Sequence, residues 1–165
     1  MNTTGSITLE HVAGFRRPGT ENSNSVDPAS LEWSLRESSM IYSKESSLSP
    51  EEVGKRLEAA AARNKFGVLH VHDLKKTLES KGIQLGAECR VYDVCNPDAA
   101  SRALHTDMRV STVLPCRISV FSKNGGSLIS TVKPTALFAA TGLKGSEALA
   151  TEVERRVLDI IDESA

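Results

Sequence analysis

The chain has 165 residues, of which 39% are hydrophobic and 25% charged, and these values are typical of one globular domain with an extension. Its 20 basic and 21 acidic residues leave a formal net charge of −1, which argues against a protein held by charge to nucleic acid or to an anionic membrane. No apolar run reaches the length of a signal peptide or a membrane span, and three cysteines are too few for a disulfide framework, so we expect a soluble cytoplasmic protein with reduced thiols.

The beginning of the chain is rich in Asn, Ser, Thr, Gly and Pro. Such a stretch buries too little apolar surface to offset the entropy cost of ordering it. We therefore interpret residues 1–37 as a largely flexible extension and residues 38–165 as a single domain. Within the extension, Leu31, Trp33 and Leu35 alternate with polar residues, which is the pattern of a strand or of a docked arm.

The first long helix is predicted by its start signal. Ser49 and Glu52 form a capping-box pattern, and Pro50 stands at the first helical position. Gly54 costs this helix roughly 1 kcal/mol relative to alanine, so either the backbone comes close to another group there or the position is simply a poor one. One apolar stripe is expected to pack on a sheet: Val53, Leu57, Ala60 and Ala61.

Alternation of apolar and polar residues, bounded by turn residues, predicts five strands. They are Met40–Tyr42, Phe66–Val71, Cys89–Cys95, Arg117–Ser122 and Leu128–Val132. Asn124 and Gly125 tolerate the positive φ of a tight turn, so the last two strands are predicted to be antiparallel neighbours.

Shorter helices are predicted between and after the strands. Asp73 caps a helix over Leu74–Ser80, Asn96 caps one over Pro97–Leu104, and residues 134–140 form one helical turn or two. Ser146 is predicted to cap the final helix, whose apolar stripe is Leu149, Val153, Val157, Ile160 and Ile161. The predicted fold is a two-layer α+β sandwich, with four or five largely antiparallel strands and helices on one face.

Three short motifs resemble those of a known family. They are the run GVLHVHDL from Gly67 to Leu74, the run VCNP from Val94 to Pro97 with two alanines behind it, and Leu114-Pro115-Cys116. Their order and spacing resemble the family called domain of unknown function 302, over roughly residues 38–134, with the C-terminal helix plausibly included. The resemblance implies an α+β fold and carries no assigned activity.

Cys95 is the first candidate for chemistry because it precedes a predicted helix N-terminus. Unpaired amides and the helix dipole there favour a thiolate. If the two strand ends lie side by side, Cys116 meets Cys95, and the pair is a resting thiol with its resolving partner or a sulfur carrier. The competing interpretation is that both cysteines are small buried hydrophobes, as most free cysteines are.

His70 and His72 are the second candidate. Residues two apart on a strand face the same way about 6.5 Å apart, which suits two imidazoles on one metal or one imidazole beside a thiol. We predict no metal site, and these two histidines are the residues that would carry one, with Cys95, Cys116 or Asp93 as the third ligand.

The sequence therefore predicts a small binding module whose pocket lies near the CNP and LPC motifs. The predicted binding residues are His70, His72, Cys95, Asn96 and Cys116, and the expected partners are a small-molecule ligand and a second copy of the chain. The alternative is a thiol-dependent redox enzyme or sulfur carrier, in which Cys95 attacks, Cys116 resolves and His70 or His72 takes the proton. A third interpretation is a purely structural dimerisation domain. The sequence identifies no cofactor and does not decide whether the protein is an enzyme.

Overall fold

The computed structural model describes residues 40–165. The predicted extension, residues 1–37, and the alternating segment around Trp33 lie outside the described residues. In chain order the elements are β1 (Ile41–Ser46), α1 (Pro50–Arg63), β2 (Gly67–Asp73), α2 (Leu74–Glu79), β3 (Cys89–Cys95), α3 (Pro97–Thr106), the 3-10 helix η1 (Met108–Val113), β4 (Cys116–Lys123), β5 (Gly126–Val132), α4 (Pro134–Thr141) and α5 (Glu147–Ser164).

The strands form one sheet in the order β1-β5-β4-β3-β2, and every neighbouring pair is antiparallel. The predicted fold class is confirmed, and so is the hairpin that joins the last two strands. Consecutive strands β1 and β2 lie at opposite edges, so α1 carries the chain across the sheet between them. None of the helices within residues 40–165 is both long and apolar enough to cross a bilayer.

The main core lies between the sheet and the two long helices. The predicted stripe of α1 is fully buried, and so are Val157, Ile160 and Ile161 of α5. These side chains pack in one cluster with the inward side chains of the central strands, among them Val94, Ile118, Val120 and Ile129. Both helices therefore cover the same face of the sheet, as the sequence predicts.

The local capping signals are confirmed for three helices. Ser49 and Glu52 form the complete capping box of α1, Asp73 accepts the N–H of Lys76, and Asn96 accepts the N–H of Ala99. Ser146 occupies the predicted N-cap position of α5, but its side chain makes no capping hydrogen bond, so only the position is confirmed.

Other differences concern the extent of elements. β1 continues to Ser46, because its full length pairs with β5, and α3 continues to Thr106. The segment Met108–Val113 is a 3-10 helix that no sequence pattern predicted, and Val110 from it joins Ala103 and Phe138 in a second, smaller apolar cluster.

Candidate functional site

An apolar cavity of about 60 Å³ lies beside the ends of β3 and β4, under α3, η1, α4 and the start of α5. We call it the thiol cavity, because two of the three cysteines line it. The lining includes Cys95, Cys116, Ala103, Val110, Phe138 and Leu149. The structure thus brings residues of the CNP and LPC motifs to one cavity.

Asn96 also borders the thiol cavity, but its amide serves the local fold. Its Oδ1 accepts the N–H of Ala99 at 2.9 Å, and its Nδ2 donates to the carbonyl of Lys65 at 2.9 Å. The first amides of α3 are therefore capped by Asn96 and are not directed at Cys95. The Cys95 thiol instead donates to the Asn96 carbonyl at 3.7 Å, which is a weak contact.

Burial determines the pKa values of the two thiols in the cavity. It raises the pKa of Cys95, which is opposite to the effect expected from a helix N-terminus. It also raises the pKa of Cys116 to about 11, with a smaller contribution from the nearby Cys95 thiolate. All three cysteines are free, and the two in the thiol cavity are protonated at neutral pH. A reactive thiolate is therefore disfavoured in this geometry.

Ser146 is a cavity residue that sequence reasoning assigned to a different role. It is buried and borders the thiol cavity, and its Oγ finds no hydrogen-bond partner among residues 40–165. A buried hydroxyl without a partner is costly and uncommon in proteins. The only signal in the sequence was a serine before a helix, and that pattern predicts a cap rather than a cavity lining.

His70 and His72 lie on β2, away from the thiol cavity. His70 pairs with Asp93 and His72 with Val91, so both belong to the side of the sheet opposite the two long helices. We call this side the open face, and its outward residues include His70, His72, Val91, Asp93, Arg117 and Ser119. Neither histidine lines the thiol cavity. The structure therefore does not bring an imidazole to Cys95 or Cys116, and the predicted proton transfer has no support from it.

On the open face, Asp93 is the centre of a polar cluster. Its Oδ2 accepts a hydrogen bond from His72 Nε2 at 2.8 Å, and Arg117 Nε lies 3.3 Å from its Oδ1. That second approach has ion-pair distance but not hydrogen-bond alignment, so Oδ1 is left without a hydrogen bond among the described residues. The ring of His70 meets that of His72 edge to face, with centroids 4.4 Å apart.

Among residues 40–165, no group of three or more His, Cys, Asp or Glu side chains is arranged to hold a metal ion. The pairing of β3 with β2 and β4 shows that the neighbours of Asp93 are His70 and Arg117, which the pattern of β3 alone does not indicate.

The sheet and its helices on one face define a two-layer α+β domain, with an apolar cavity at the ends of β3 and β4. A comparison with family models matches residues 42–164 to "Domain of unknown function DUF302". The match covers most of the chain, and the protein belongs to this family.

Known structures agree with this assignment. The chain is similar to a crystal structure of an uncharacterised conserved DUF302 protein from Bacillus stearothermophilus, with 28% sequence identity and a TM-score of 0.73. The similarity covers 76% of this chain and 98% of the other. A search of curated proteins found no match.

Proposed function

We propose that this protein is a cytoplasmic binding module that takes a small, mainly apolar ligand into the thiol cavity. One observation carries the proposal: an apolar cavity is lined by a buried hydroxyl, Ser146 Oγ, that has no hydrogen-bond partner among the described residues. Binding sites for small molecules are typically apolar concavities with a few polar groups that orient the ligand.

The lining defines the chemistry of the ligand. The cavity volume of about 60 Å³ equals roughly that of two water molecules, so in this conformation it holds a group of only a few heavy atoms. A hydroxyl both donates and accepts, so the bound group would carry one polar atom opposite Ser146 and apolar atoms elsewhere. A small alcohol, or the end of a longer apolar ligand, has this chemistry.

The second candidate function is a thiol-dependent redox enzyme or sulfur carrier that uses Cys95 with Cys116. The observation in its favour is that both thiols border one cavity. It ranks below binding because burial raises the pKa of both thiols and because no histidine lines the cavity to accept a proton. The raised pKa values favour packing and binding over nucleophilic attack.

The binding proposal is tested with two probes, xenon and 1-butanol. Xenon needs only an empty apolar space, whereas butanol also offers a hydroxyl. We expect both to shift the NMR methyl signals of Val110 and Leu149 in the full-length chain. Ala150→Leu, which fills the cavity from α5, is expected to weaken both probes at least fivefold.

The matched control is Ala62→Leu, because Ala62 is exposed on α1 and away from the cavity. This variant should leave both probes unchanged. Methyl shifts that are absent, or that persist unaltered in Ala150→Leu, would reject the cavity as a binding site.

The second part of the proposal is that two copies of the chain associate. The apolar stripe of α5 packs inside the molecule and offers no dimer surface, since Val157, Ile160 and Ile161 are fully buried. Any association must therefore use another surface, and concentration-dependent sedimentation of the full chain tests whether it occurs.

A further inference from the structure

A second, larger space adjoins the thiol cavity. It has a volume of about 260 Å³ and is lined by the end of α1, the start of α3 and one side of α5. We call it the basic groove, because four cationic side chains border it: Arg63, Lys65, Arg102 and Arg156. Among residues 40–165, two carboxylates line it with them, those of Asp98 and Glu152. The basic groove is therefore charged, whereas the thiol cavity is apolar.

The thiol cavity and the basic groove share a wall. Four residues line both spaces: Phe66, Asn96, Ala99 and Val153. At these positions a single residue separates the two spaces. Phe66 and Ala99 are buried, while Asn96 and Val153 are half-buried. A small molecule that passes this wall would place one part against apolar side chains and another part against cations.

The backbone at the rim of the basic groove is fixed. Asn96 Nδ2 donates to the Lys65 carbonyl at 2.9 Å, which ties the end of α1 to the start of α3. Lys65 has a φ of 61°, the left-handed conformation that glycine usually supplies after a helix. A lysine held in this conformation presents its cation at a defined place, and a preorganised site loses less entropy when it binds a ligand.

Two of the four cations have no carboxylate partner among the described residues. Guanidinium nitrogens of Arg63 and Arg102 lie 2.7 Å and 3.0 Å from a glutamate oxygen, so these two arginines are already paired. Lys65 and Arg156 are exposed, and neither lies within ion-pair distance of a carboxylate in that part of the chain. Asp98 is the one lining carboxylate that is likewise unpaired there. The groove therefore has a surplus of one positive charge.

A carboxylate matches this surplus. It carries a single negative charge, and its two oxygens can accept from an ammonium and a guanidinium at the same time. A phosphate monoester would bring close to two negative charges towards Asp98. An amine would be repelled by Lys65 and Arg156. A carboxylic acid with an apolar chain therefore suits both the groove and the cavity behind it.

We propose that the thiol cavity and the basic groove form one site for a short-chain carboxylic acid. Lys65 and Arg156 hold the carboxylate, and the apolar chain passes the shared wall into the thiol cavity. Ser146 lines the cavity and not the groove, so it meets a hydroxyl at the far end of the chain. This inference rests on the proposed binding function and names the class of ligand.

The test compares three probes that share a hydroxyl and an apolar chain and differ at the other end: 6-hydroxyhexanoate, 1,6-hexanediol and 6-amino-1-hexanol. NMR of the full-length chain follows the methyl signals of Val110 and Leu149 in the cavity and the Nε–H signal of Arg156 in the groove. We expect the carboxylate to bind about fivefold more tightly than the diol, and the amine to bind most weakly. Added salt should reduce the advantage of the carboxylate, because it screens exposed charges.

Substitutions in the basic groove test its charges. Lys65→Gln and Arg156→Gln should each raise the dissociation constant of 6-hydroxyhexanoate about threefold and leave that of the diol unchanged. Both side chains are exposed, so both variants should fold normally. Asp98→Asn removes the repelling carboxylate and should lower the same constant about twofold. Arg155→Gln is the matched control, since Arg155 is exposed on α5 and lines neither space, and it should change nothing.

Three results would overturn the inference. One is equal binding of the three probes, and another is unchanged binding of 6-hydroxyhexanoate in both glutamine variants. The third is a carboxylate that shifts the Arg156 signal but not the Val110 methyls, because it would occupy the groove alone. The proposed cavity binding fails separately, when xenon and 1-butanol leave the methyl signals of Val110 and Leu149 unmoved.

Discussion

Gly54 of α1 lies directly against the hydroxyl of Tyr92 on β3, and a Cβ atom built on residue 54 would overlap that oxygen. Tyr92 is almost fully buried, so its ring cannot move aside easily. The close approach explains a glycine inside a helix, where alanine is the better helix former.

We expect Gly54→Ala to destabilise the fold by about 1–3 kcal/mol in spite of the higher helix propensity of alanine, because overpacking of this core position outweighs it. Urea denaturation of the variant measures the change. The loss should be smaller in a Tyr92→Phe background, which lacks the oxygen. A Gly54→Ala variant at least as stable as the parent would show that the two elements separate readily.

The cavity thiols should react slowly. With a pKa of about 11, Cys116 is a thiolate in only about one molecule in ten thousand at pH 7. We expect iodoacetamide labelling of Cys95 and Cys116, followed site by site by mass spectrometry, to rise with pH to well above 8.5 and to become faster in urea. An apparent pKa for Cys95 clearly below 8.5 would favour the thiol enzyme over the binding module.

Tyr42 provides a titration that reports on the contact between β1 and α5. Its hydroxyl donates to Asp162 Oδ1 at 2.6 Å, and this hydrogen bond is the main cause that raises the pKa of Tyr42 to about 12. Because the folded-state pKa is raised, the stabilisation is complete below about pH 10 and is lost as the pH rises towards 12.

In a Tyr92→Phe background, absorbance at 295 nm follows Tyr42 alone, since the chain has two tyrosines. Asp162→Ala should bring its midpoint down towards 10, whereas Asp159→Ala on the same helix should not. Equal midpoints in the two variants would mean that the hydrogen bond does not form in solution.

Ser49 and Ser146 precede the two long helices but should respond differently to alanine. Ser49→Ala removes a complete capping box and should cost about 1 kcal/mol. Ser146→Ala removes a buried hydroxyl that caps nothing, so stability should stay equal or rise slightly.

The same pair tests the cavity chemistry. Ser146→Ala should weaken 1-butanol binding several-fold and leave xenon binding unchanged, while Ser49→Ala should alter neither. Thermal melts and the NMR titrations give both readouts. A loss of stability in Ser146→Ala equal to that in Ser49→Ala would indicate a capping role after all.

Much of the fold could be predicted because its signals are local. A cap and its helix amide lie within three residues, as for Asn96 and Ala99, so the pattern is present in a short window of sequence. Strand alternation and the Asn124-Gly125 turn are equally local, and together they predicted the sheet. The 3-10 helix η1 has no such signature, since its apolar Val110 is held only by Ala103 and Phe138 from other elements.

The candidate site was only partly predictable, because its contacts join residues that are far apart in the sequence. Cys95 and Cys116 were predicted to meet if their strand ends lie side by side, and β3 does pair with β4, so both residues border one cavity. The environment of His72 depends on strand pairing and on a register shift between Val68 and His70, and the local sequence indicates neither of them. Burial of the thiols depends on α3, α4 and η1 together, so the sequence left open whether Cys95 is a reactive thiolate or a packed thiol with a raised pKa.

The edge position of β1 has a consequence for how the molecule assembles. Ile41 pairs with Val132, about ninety residues away along the chain, whereas β4 and β5 are joined by a tight turn. Closing such a long loop costs conformational entropy, and the hydrogen bonds to β5 offset that cost only after β5 has formed. We therefore expect β1 to dock last, onto a preformed four-stranded nucleus, so that amide hydrogens in Ile41–Ser46 gain protection from exchange later in refolding than those of the central strands.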